Sequence, residues 1–228
     1  MKPDVEGAVA DTARHRWVIR FSVDGDVRFI SHHDTLRLFR RALARAELPV
    51  RFSEGFSPHP RLSIPLPRSV GLASDDEAVV VEFERAIEPG DALRRLQREM
   101  PEGFRIFEGR PLQTGENLHP QRVHYTLELS EPPGEEIAAR AGYLLDQSTL
   151  PVARPDPRGG RAKSVDLRPY LAALRVTGAR IDFVLNVTGE GTAKPAEIAG
   201  LLGLDGSTLL HRIRRTKVNW KEDDQVSS

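Results

Sequence analysis

Apolar and polar residues moderately alternate along "RHRWVIRFSVDG", which ends in Asp24-Gly25, and this predicts a strand closing in a turn. A short extended piece, "VRFI", follows. Next comes "SHHDTLRLFRRALARAELP", where Leu36, Phe39, Leu43 and Ala46 fall on one helical stripe. Ser31 suits the N-cap, Asp34 stands where a capping box has its acid, and Pro49 forces an end. "PVRF" reads as a short strand. "RLSIPLP" is extended, and its prolines restrict it to a sheet edge. "EAVVVEFE" is a strand, "EPGDALRRLQREMP" a helix and "FRIFEGRPL" a strand.

The same order then returns. "QRVHYTLEL" is a strand, "PGEEIAARAGYLLDQ" a helix, "TLPVARP" extended and "ARIDFVLNVTG" a strand. "KPAEIAGLLGL" is a short helix, and "LLHRIRRTKVNW" closes as a strand or mixed element. Two successive β-α-β-β-α-β patterns predict an α+β protein of two tandem ferredoxin-like (split β-α-β) units with antiparallel sheets. The units cover residues 16–113 and 121–219. Loop 154–170, rich in Arg, Gly and Pro, is inserted in the second, and residues 1–15 and 220–228 are expected to be disordered tails.

Composition narrows the function classes. No apolar run among the 228 residues approaches the roughly 20 needed to cross a bilayer. The opening "MKPDVEGAVADTARHR" lacks the apolar core of a signal peptide, so cytoplasmic placement without membrane association is the expectation. Cysteine is absent, so this chain supplies no thiolate to an iron–sulfur cluster or zinc site and no thiol nucleophile. Net charge is zero, yet residues 14–68 hold eleven Arg against five acids, while 71–109 hold ten acids against five Arg. That polarity fits either an anionic partner for the first segment or mutual neutralisation within the fold.

Arg37, Arg41 and Arg45 follow at i, i+4 and i+8, opposite the apolar stripe at about 100° per residue. They form either a phosphate-tracking row or a solvated face paired with acids from elsewhere. In "FSEGFSPHPRLSIPLP", Ser53, Gly55, Ser57 and nearby backbone NH groups offer an anion-binding concavity. The prolines stiffen the frame from which His59 and Arg61 project. The alternative is a stiff cover for a sheet edge. His32, His33, Asp34 and His59 raise a metal reading, but adjacent helical residues diverge too far for His32 and His33 to share an ion, and no metal site is expected. In the second unit, Arg161, Lys163, Asp166 and Arg168 belong either to a partner site or to an ordinary surface loop. No Walker loop, nucleophile elbow or zincin motif occurs.

The stretch from "RFSVDGDVRFISHHDTLRLFRRAL" through "LPVRFSEGFSPHPRLSIPLPRSVGL" resembles the radical-SAM-linked (radical SAM-associated) family, a bacterial domain of unknown function. The likeness is strongest over residues 17–83 and continues through "MPEGFRI" and "SVDLRPYL". It implies a companion to a radical SAM protein, with iron–sulfur and S-adenosylmethionine carried by the partner and no cofactor on this chain. Positions matching the family are Ser31, His32, Asp34, Arg41, Ser53, Gly55, Phe56, Pro58, His59 and Pro60. The expectation is therefore a module without catalytic activity of its own, binding RNA (tRNA or rRNA) for modification. A protein–protein adaptor docking the radical SAM partner is the alternative, and a small hydrolase or nuclease using His32, Asp34 and His59 a third reading.

Overall fold

The computed structural model describes residues 15–156 and 159–222. It is a mixed α/β structure: four α-helices lie on a mostly antiparallel eight-stranded sheet, beside a separate two-stranded hairpin.

Strand β1 (His15–Val23) turns Trp17, Ile19, Phe21 and Val23 toward the helices. Its opposite face carries Val18, which packs with Ala78 and Val80. Helix α1 (His32–Arg45) buries Phe39, Ala42 and Leu43 in the same core as β1. The predicted stripe holds with one change: Leu36 is half-buried, and Thr35 takes the inner place in the first turn. Strand β2 (Leu62–Ser63) is two residues long and pairs with the far end of β3 (Ala73–Phe83). Helix α2 (Pro89–Arg98) buries Ala92 and Leu96, and β4 (Phe104–Pro111) pairs with β1.

The second half repeats this arrangement. Strand β5 (Leu118–Glu128) leads to α3 (Glu135–Asp146). Then come the hairpin β6 (Pro151–Arg154) and β7 (Lys163–Asp166), and strands β8 (Leu171–Thr177) and β9 (Arg180–Asn186). Helix α4 (Pro195–Leu201) and β10 (Ile213–Glu222) close it. Sheet order is β4-β1-β3-β10-β5-β9-β8. In the first half β1 lies between β4 and β3, and in the second β5 lies between β10 and β9. The halves join where β10 runs parallel to β3 over two residue pairs, Arg214–Ala73 and Arg215–Ser74.

Four expectations are corrected. Residues 27–29 are not extended, because Gly25–Phe29 forms a 3-10 turn capped by the Asp24 carboxylate on the Gly25 amide (2.8 Å), and only Ile30 is extended. Helix α1 stops before Pro49: Glu47 takes a left-handed φ of 50°, and the Leu48 amide bonds back to the Leu43 carbonyl (3.1 Å). Residues 149–155 do not supply the second unit's sheet strand. They pair only with β7, while the unpredicted β8 occupies that edge. Finally, β1 begins at His15 and β10 runs to Glu222, inside both expected tails, whose remaining residues lie outside the described ones.

Candidate functional site

The proline-rich segment is a hydrogen-bonded protrusion from the sheet edge. Its root is fixed by backbone bonds: Arg51 donates to Glu82 (2.8 Å), Glu82 to Arg61 (3.0 Å) and Arg61 to Arg51 (2.8 Å). The half-buried Arg51 and Arg61 guanidiniums flank the Glu82 carboxylate at 3.6 and 3.4 Å. Above this root, Phe52 and Pro60 form an isolated bridge. Ser53 and His59 then clasp the tip. The Ser53 amide donates to the His59 carbonyl (2.9 Å), the His59 amide donates to Ser53 Oγ (3.1 Å), and that hydroxyl also contacts His59 Nδ1 (2.9 Å).

Gly55 lies inside the clasp with φ +122°, which side-chain-bearing residues rarely adopt, although a Cβ there would meet nothing. Glycine is thus required by the backbone bend and not by space. The result is an outward-facing aromatic pair: Phe56 is wholly exposed and Phe52 is 49% exposed. Ser57 and Pro58 complete the exposed tip.

At the start of α1, Ser31 caps as expected, accepting from the Asp34 amide (3.1 Å) and donating to Asp34 Oδ2 (2.7 Å). The hydroxyl holds the Asp34 carboxyl below its usual range, with Arg37 adding to the effect. His32 turns inward. With Thr35 it lines a cavity of about 10 Å³, closed by Ile64, Arg68 and Glu77. Burial lowers its imidazole pKa, and the neighbouring His33 lowers it further. The far end of the proline segment therefore folds onto the start of α1, but His59 bonds to Ser53 at the other end. Among the described residues no three His, Asp or Glu side chains are placed to hold a metal ion, and His32, Asp34 and His59 form no such group.

The arginine row is also divided. Arg37 pairs with Asp34 (3.1 Å), and Arg45 donates to the Glu99 carboxylate (2.8 Å) and carbonyl (2.9 Å). Arg41 is exposed and has no ion-pair partner among the described residues. In the second unit, Arg161 and Lys163 are exposed, whereas Asp166 and Arg168 serve the fold. Asp166 accepts from the Leu150 (2.6 Å) and Arg168 (3.0 Å) amides, which lower its pKa. Arg168 donates to the carbonyls of Gln147 (2.9 Å), Leu171 (2.7 Å) and Leu145 (3.0 Å).

Sequence reasoning missed a buried ionic network beneath the proline segment. Arg215 and Glu77, each 3% exposed, pair at 2.8 Å. The Arg215 guanidinium also reaches the Leu66 and Pro67 carbonyls at 3.4 Å and lies over the Tyr125 ring. Burial opposes its charge, and the Glu77 carboxylate with Tyr125 outweighs that penalty, leaving the pKa raised. Arg68 is secured by the carbonyls of Arg28 (2.7 Å), Ser69 (3.3 Å) and Leu72 (2.5 Å), with a pKa lowered chiefly by burial. One signal was available: Glu77 shares a face with Val79, Val81 and Phe83, and Arg215 shares one with Ile213.

Fold and site together define a class: a mixed α/β protein that presents a braced aromatic loop at the edge of its sheet. The chain belongs to the bacterial family described as "Uncharacterized protein conserved in bacteria (DUF2344)", whose model matches residues 16–195. No curated protein matches it. Among solved structures it is similar to "Crystal Structure of an Unknown Protein from Galdieria sulphuraria", at 14% identity, covering 93% of this chain and 100% of that one, with a TM-score of 0.25.

Proposed function

We propose that this chain is a docking module, in which the Phe52–Pro60 loop inserts Phe56 into a pocket on a protein partner. Each half is read as a ferredoxin-like unit serving as rigid support. The observation that carries the reading is the wholly exposed Phe56 on a loop closed by the Ser53–His59 clasp. Burying a phenylalanine side chain is worth about 1.5–3 kcal/mol, and a loop already held in shape loses little entropy on binding. The resemblance through "SHHD" and "SEGFSPHP" makes a radical SAM enzyme the partner to test. The RNA reading loses two of its three helical cations, since Arg37 and Arg45 face carboxylates of the chain itself.

The test is co-purification and calorimetry of the full chain with a radical SAM enzyme from the same cell, after nuclease treatment. Phe56→Ala should weaken binding by roughly 10- to 150-fold, corresponding to about 1.5–3 kcal/mol. Joint Arg37, Arg41 and Arg45→Glu substitution should leave it intact. Equal affinity in Phe56→Ala, or a complex that dissolves with nuclease, would falsify the docking role.

A further inference from the structure

The segment "HRIRR", residues 211–215, divides its cations between two sides of the sheet. Ile213 and Arg215 turn inward, so Arg212 and Arg214 turn outward. On that outer side a cleft of about 300 Å³ opens where the two halves meet. Arg28 enters from the turn after β1, Arg180 from the start of β9, and His211, Arg212 and Arg214 from the entry to β10. A cleft of this volume is at the small end of ligand sites.

The four guanidiniums are not equivalent. Arg214 is held by Asp24 (2.7 Å) and Asp75 (2.6 Å), and Arg180 by Asp182 (2.9 Å). Arg28 and Arg212 form no ion pair among the described residues, although the Asp24 carboxylate that holds Arg214 is close enough to feel the Arg28 charge. Arg28 lies over the Phe29 ring and donates once, to the His211 carbonyl (3.2 Å), while Arg212 donates once, to the Ser130 hydroxyl. A guanidinium carries five N–H donors, so each keeps most of its capacity unused. Glu128 is the carboxylate in the lining, and strand register sets it opposite Arg180. His211 donates from Nδ1 to the Thr208 carbonyl (2.8 Å), which leaves Nε2 available.

We propose that this junction cleft binds a phosphate group, with Arg28 and Arg212 as the two arms of a clamp and His211 beside them. Guanidinium forks match phosphate oxygens in spacing and charge, and two from different segments fix its position as well as its sign. Because Arg28 belongs to the first half and Arg212 to the second, the site exists only when both halves are in register. It shares no residue with the Phe52–Pro60 loop, and the two proposals stand or fall separately.

The experiment measures binding of a labelled short single-stranded RNA by fluorescence anisotropy and of pyrophosphate by calorimetry, both with the full chain. The Arg28→Gln, Arg212→Gln double variant is compared with Arg41→Gln, which removes an exposed cation outside the cleft's lining. The double variant should bind at least tenfold more weakly, with an unchanged circular dichroism spectrum, and Arg41→Gln should match the parent. Loss with RNA alone identifies a strand backbone as the source of the phosphate. Loss with both probes identifies a site for a free phosphoryl group. With RNA, the slope of log affinity against log salt should also fall by about 1.4, from two contacts at roughly 0.7 each. If the double variant does not fold, Arg28→Lys with Arg212→Lys retains the charge without the fork and should cost at least threefold. Parent-like binding by a folded double variant, or no binding of either probe by the parent at millimolar concentration, overturns the proposal.

Discussion

Two loops stand at corresponding places in the two halves, each leaving the half's first helix and returning to its sheet. Residues 46–72 do this in the first half and 147–170 in the second. Both returns are fastened alike, by one arginine that donates to three backbone carbonyls: Arg68 in the first and Arg168 in the second. Their outer portions diverge. The first carries the exposed Phe52 and Phe56, while no large apolar side chain is exposed among the described residues of the second. A shared anchoring device with different tips separates what holds the protein together from what faces outward. Charged residues in such loops are therefore poor guides to function until their partners are known.

That contrast can be broken at the roots or at the tip. The largest effect is expected from Glu77→Gln, which leaves Arg215 buried without its counter-charge beneath the first loop. A loss of about 3–5 kcal/mol in urea unfolding is expected, and a change under 1 kcal/mol would contradict the network's role. Next, Arg168→Met frees three carbonyls in the second loop and should cost about 2–3 kcal/mol by the same assay. Arg68→Met should cost a comparable amount, and a large difference between the two would show that the anchors are not equivalent.

A smaller, pH-dependent effect is expected at His32. Its folded pKa is lowered, so the unfolded chain takes up the proton first as pH falls. Stability is full above the unfolded value, about 6.5, and declines as pH drops below it. Melting temperatures measured from pH 8 to pH 5 should fall less in His32→Gln than in the parent; superimposable profiles would refute this. The smallest change is expected from Phe56→Ala, within about 0.5 kcal/mol of the parent, because the ring touches no core. A marked loss there would mean that the tip is structural.

The amphipathic α1, its Ser31 cap and the apolar β3 were readable because local pattern and tertiary demand agree in them. Strand β8 was not, because its register shifts between Leu171 and Ala173 and the bulge breaks the two-residue alternation. The 3-10 turn after β1 depends on one carboxylate cap at Asp24, a contact invisible to periodicity. At the candidate site, the sequence pointed to the proline loop and the start of α1. Of the two readings left open for the arginine row, pairing with acids of the chain is what Arg37 and Arg45 show, while Ser53 and His59 bond to each other. Pairing across long separations, such as Arg45 with Glu99 or Arg215 with Glu77, leaves no local signature.

The short parallel seam between β10 and β3 bears on how the protein is made. A strand that emerges from the ribosome after the other described ones sits in the middle of the sheet, next to β3 and β5. Until residues 213–222 are synthesised, β3 and β5 lack a neighbour and Glu77 lacks Arg215. The halves can each begin to organise during translation, but their union waits for the last strand, and nascent chains arrested before it should be sensitive to protease.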